Sequence, residues 1–195
     1  MAATSNAMLA AVRRALMRVP RWCLSVLCIA LLLLYAAVAG AHSMYQTAVL
    51  LDFDGNRVGA ELQLPVDRLS ISFKQTVDAS HFAVESDALR NYVLAHVHPV
   101  TEDGRPFTVQ FLDQSIQTVE GAPYLVVHLM FLPPKGASVD HFKLNYDVIA
   151  HEIVTHVVLI SIRSDKQHPI AATDPVLLGM IRYTKLSQDV DRMKR

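Results

Sequence analysis

Apolar and polar positions alternate through much of this chain, and that two-residue period sets the first expectation. Thr47 to Phe53 and Arg57 to Leu64 flank Asp54-Gly55-Asn56, a short turn whose glycine can take a positive φ. Val58, Ala60, Leu62 and Leu64 alternate with Gly59, Glu61 and Gln63, as one face of a half-buried strand requires. The two segments predict a β-hairpin. Phe142, Leu144, Tyr146 and Val148 alternate with Lys143, Asn145 and Asp147 in the same way and predict a later strand. Further strands are expected at Phe107–Leu112, Ile116–Val119, Tyr124–Phe131, Ile153–Ile162 and Val176–Tyr183.

The period changes once. Leu89, Tyr92, Val93, His96 and Val97 recur at the spacing of one helical face, with Ser86 as N-cap and Pro99 just beyond the end. Turn signals at Thr101-Glu102-Asp103-Gly104-Arg105-Pro106 and Pro133-Pro134-Lys135-Gly136 separate the strands around it. Many short strands and one helix predict a mainly β fold, an immunoglobulin-like β-sandwich with one inserted amphipathic helix. Its extent is expected to be residues 42–184, with residues 185–195 a polar tail or linker.

The first 41 residues follow neither period. They contain no acid; Arg13, Arg14, Arg18 and Arg21 precede an apolar stretch of 17 residues, Trp22 to Val38, and Ala39-Gly40-Ala41 supplies a small-x-small cleavage signal. This is the layout of a secretory signal peptide cut before His42. The run also reaches the lower end of the roughly 17–25 residues that span a bilayer, so an uncleaved anchor helix is the alternative. Little around Arg13-Arg14 supports a twin-arginine signal, and the general secretory route is expected. The protein is then periplasmic, or held at the extracytoplasmic face of the membrane.

Cleavage changes the chemistry available. Both cysteines, Cys23 and Cys28, lie in the apolar run, so disulfides and thiolate ligands drop out of the exported part. The whole chain balances 18 basic against 18 acidic residues, but all the acids follow residue 41, which leaves an excess of about four negative charges. That argues against nucleic acid as a partner.

All nine histidines also follow residue 41, and imidazole with carboxylate suits nickel, copper or zinc. His42, once N-terminal, could chelate through its α-amine and its ring, as in a histidine brace. His96 lies on the apolar face of the predicted helix. His151 and His156 are five apart, which is not the His-Glu-x-x-His spacing of zinc proteases. They converge only if the chain bends between them, and His156, in phase with Val158, Ile160 and Ile162, reads equally as a core histidine. No Gly-x-Ser-x-Gly, phosphate-cradling glycine loop or calcium loop is present, and a non-enzymatic domain is expected. A structural or protein-interaction β-sandwich without a ligand is the alternative to a metal-binding one.

Several stretches resemble the extracytoplasmic N-terminal region of HupE/UreJ-type membrane proteins, the hydrogenase/urease accessory family associated with nickel or cobalt uptake. They are Ala41-His42, Val49-Leu50-Leu51-Asp52, Ala60 to Pro65, Asp103-Gly104-Arg105-Pro106, Gly179 to Tyr183 and, most specifically, Tyr146 to His156 with Ser161-Ile162-Arg163-Ser164-Asp165. The resemblance implies an exported accessory domain working beside a membrane transporter subunit. In that family a transmembrane bundle follows the soluble region. No segment after residue 41 approaches 18 consecutive apolar residues, so a truncated member or a free-standing copy of the soluble domain is expected.

Overall fold

The computed structural model describes residues 45–78, 82–170 and 174–194, and the predicted signal segment and His42 lie outside them. The fold is mainly β, as expected, with nine strands in two sheets and two helices among the described residues. The strands are β1 (Thr47–Phe53), β2 (Val58–Pro65), β3 (Val97–Val100), β4 (Thr108–Val119), β5 (Ala122–Leu132), β6 (His141–Tyr146), β7 (Val158–Asp165), β8 (Val176–Ile181) and β9 (Ser187–Asp191). The helices are α1 (Val66–Phe73) and α2 (Phe82–Ala95).

The larger sheet has six strands in the order β4-β5-β2-β1-β7-β8, and β3-β6-β9 form the smaller one. The predicted hairpin is its nucleus: β1 and β2 pair antiparallel from Ala48↔Gln63 to Phe53↔Val58. On its other side β1 runs parallel to β7. Period-2 alternation places Val49, Leu51 and Phe53 of β1 and Val58, Ala60, Leu62 and Leu64 of β2 on one buried face. Phe142, Leu144 and Tyr146 of β6 join the same core cluster, so the two sheets share one interior.

Four expectations are corrected. Two helices are present rather than one: Val66, Leu69 and Ser72 of α1 are buried at helical spacing immediately after β2. The segments Phe107–Leu112 and Ile116–Val119 belong to one strand, β4. A bulge between Phe111 and Asp113 leaves Leu112 exposed and shifts the inward phase from Val109 and Phe111 to Gln114 and Ile116.

The tail is no linker over its whole length. Ser187–Asp191 pairs with β6 as β9, and Val190 is buried. Arg192 follows and turns inward. It donates to both carboxylate oxygens of buried Asp165 at 2.6 and 2.8 Å, and its guanidinium lies 5.0 Å from the centre of the Phe53 ring. This bidentate pair holds the Asp165 carboxyl far below its ordinary range. The fourth correction concerns Ile153–Ile162, where the strand begins only at Val158 and turns precede it.

Candidate metal centre

The turns between β6 and β7 carry the chemistry. Val97 faces Tyr146 at the start of the β3–β6 ladder, and the pairing extends one residue further, where Asp147 N–H donates to His96 O at 3.2 Å. Their side chains meet as well, His96 Nδ1 lying 2.8 Å from Asp147 Oδ1. The chain then turns back on itself. Both the backbone N–H of His151 (3.2 Å) and its Nδ1 (2.6 Å) reach the carbonyl oxygen of Asp147.

That arrangement fixes both tautomers. An ionised carboxylate and a backbone carbonyl only accept, so Nδ1 carries the proton in each ring. In the neutral form of each ring the lone pair is then on Nε2. The rings stack, centroids 4.5 Å apart and 8° from parallel, and are about a quarter exposed, at 23% and 24%. A ligand atom from each of His96, Asp147 and His151 lies within 4.8 Å of the others, and these three form the one such group among the described residues.

The surroundings hold this geometry in place. Val148, Ile149 and Ala150 are fully buried and anchor the turn from below. Tyr92 of α2 donates to Val148 O at 2.5 Å, and Ser72 of α1 donates to Ile149 O at 3.3 Å. The Tyr92 ring packs 4.6 Å from that of His96, and burial pushes its hydroxyl pKa up to about 12, so it remains a neutral donor. Phe73 meets Tyr92 edge-on from the other side. An open pocket of about 390 Å³ borders His96 and Asp147, with His98, Asn145 and Ser187 on its walls.

Of the sequence-predicted ligands, His96 and His151 come together. His156 does not join them. The chain does bend after His151, but the bend carries His156 inward, where it is 4% exposed and hydrogen-bonded to Thr47 Oγ1 at 2.9 Å. Burial lowers its pKa from 6.5 to about 4, so it sits there neutral. The core-histidine alternative describes its setting. His42 lies outside the described residues. Asp147 alternates with Tyr146 and Val148 as an outward strand residue would, and its spacing four residues before His151 is the one sequence signal for its place here.

A second polar system crosses the outer face of the large sheet. Arg163 binds Asp52 at 2.5 and 3.2 Å and also Glu61, while His128 Nδ1 lies 2.6 Å from Asp113. These side chains pair with one another across the sheet face.

Compared with known proteins, the chain matches no family model and no curated sequence.

Proposed function

We propose that this protein is an exported, non-enzymatic accessory domain that binds a late first-row transition ion through His96 and His151 and works beside a membrane transporter. One observation carries the metal half: on adjacent, partly exposed rings both imidazoles turn Nδ1 to an acceptor, which in the neutral rings leaves the Nε2 lone pairs as metal donors. Metal-binding histidines are commonly oriented in this way, by a carboxylate or carbonyl behind the ring. Nickel, copper and zinc all suit such nitrogen donors. The resemblance to HupE/UreJ-type soluble regions supports the accessory role and the transporter partner. In fold terms the proposal is an immunoglobulin-like sandwich variant, distinguished by six- and three-stranded sheets and by the parallel β1–β7 contact.

Calorimetric titration of the chain with nickel, copper and zinc tests the metal half. Binding tighter than millimolar, about −4 kcal/mol, is expected for at least one ion. It should vanish in His96→Gln/His151→Gln and persist in His156→Gln. Absence of binding by every ion ends this half of the proposal. Export is tested separately, since N-terminal sequencing of secreted protein should begin at His42.

The ligand-free reading has its own support in ring packing, with His96 stacked on His151 and Tyr92 tilted against both. It expects the double histidine variant to lower stability while every metal titration, wild type included, stays flat.

A further inference from the structure

Among the described residues the sheets end in the edge strands β4 and β8 of the larger and β3 and β9 of the smaller. An open edge offers unpaired N–H and C=O groups to any other strand, and charge, proline or brevity commonly protects it. β4 carries Asp113 among polar residues, β3 is four residues long and contains Pro99, and β9 carries Asp189 and Asp191. The edge at β8 is different: Val176–Ile181 holds neither charge nor proline. Leu177 is 53% exposed and Met180 38%, and Tyr183 is exposed just beyond the strand.

A bulge gives this edge its pattern. Ile160 of β7 pairs with Gly179 and Ser161 with Leu177, so Leu178 has no partner in β7. Leu178 is buried in the core, and Ile181 and Val176 stand opposite buried Val158 and Ile162. A methyl group on Gly179 would run into the Gln188 side chain of β9, which puts that position on the inner face too. From Val176 to Ile181 the order is therefore inward, outward, inward, inward, outward, inward, and it reads the same in both directions. An antiparallel copy in the register Val176↔Ile181, Leu177↔Met180 and Leu178↔Gly179 sets inward against inward and outward against outward over the whole strand. The ends match as well. Asp174 precedes the strand and Arg182 follows it; both are exposed, and neither forms an ion pair among the described residues. In the antiparallel copy, Asp174 of one chain comes beside Arg182 of the other at both ends.

We propose that the free edge of β8 binds a second copy of this chain, antiparallel about a two-fold axis between Leu178 and Gly179, so that two six-stranded sheets continue as one. Leu177 of each copy covers Met180 of the other on the outer face, and the main-chain groups of the edge find partners. Such a contact uses the same patch on both chains and closes at two copies. The pairs of Asp174 with Arg182 are exposed and add little affinity. They act against the parallel arrangement, which would set like charges together at both ends.

Sedimentation equilibrium of the full chain tests this. A reversible dimer is expected, weak because a single strand edge buries less than the roughly 800 Å² per partner of a standard interface. Leu177→Lys, at a position already exposed in the single chain, should weaken it about tenfold or more, since it sets a charge against Met180 of the copy at two places. Asp174→Arg should weaken it as well, and Asp174→Arg/Arg182→Asp should restore it, because opposite charges meet again. Protein that stays monomeric up to about 1 mM overturns the proposal, and so does a dimer that Leu177→Lys leaves unchanged. A dimer weakened by Leu177→Lys but not recovered by the charge exchange overturns the antiparallel register.

Discussion

Replacing His156 by glutamine tests how the buried imidazole links folding to acidity. An unfolded histidine titrates near 6.5, whereas the folded His156 titrates at about 4 because burial disfavours its charged form. Below pH 6.5 the unfolded chain therefore takes up a proton that the folded chain refuses. The stabilisation is complete above pH 6.5 and is lost as pH falls toward 4. The full loss is about 3 kcal/mol, and about 2 kcal/mol of it falls between pH 7 and pH 5. That window lies above the range of the paired carboxylates, whose pKa values are lowered, so Asp52, Asp140 and Asp165 contribute little to it. Urea denaturation at pH 5, 6 and 7 measures the dependence. Glutamine retains a donor and an acceptor for Thr47 but cannot titrate, so His156→Gln should lose about 2 kcal/mol less than wild type between pH 7 and pH 5. Identical pH slopes in the two proteins refute the argument, because they place the proton uptake at another group.

Three further outcomes follow from the packing. Arg192→Met leaves the buried Asp165 carboxylate without its bidentate partner and should cost about 3–5 kcal/mol in a denaturant melt. Glu120 and Gly121 form a two-residue turn with φ of 49° and 82°, so Glu120→Asn, better suited to a positive φ, should raise stability by a few tenths to about 1 kcal/mol. Leu144→Ala, at a fully buried position shared by both sheets, should cost about 2–5 kcal/mol.

The strands with a solvent-facing side were legible because burial writes a two-residue period into them, as in Val58 to Leu64. What escaped reading depends on partners distant in sequence. β9 is polar apart from Val190, and only the register with β6 makes it a strand. α1 spans eight residues, too few for its three buried positions to stand out. Ile153 packs against the core from a turn, so β-branched composition alone could not separate turn from strand at that point. His96 and His151 were legible as imidazoles of interest. Their meeting was not, because it depends on His96 standing opposite Asp147 across the small sheet, and no local pattern encodes a cross-strand register.

The parallel contact between β1 and β7 also orders events in time. β1 acquires β2 at once through the hairpin, but its other edge waits for residues more than a hundred positions later, with Thr47 pairing to Val158 and Phe53 to Asp165. During synthesis the hairpin therefore precedes its neighbour by about 90 residues, with the backbone groups of one β1 edge unpaired. Long-range parallel pairing of this kind is slow relative to local structure, and an open apolar edge invites pairing with other chains. Until β7 arrives, that β1 edge leaves the newly made chain open to pairing with its neighbours.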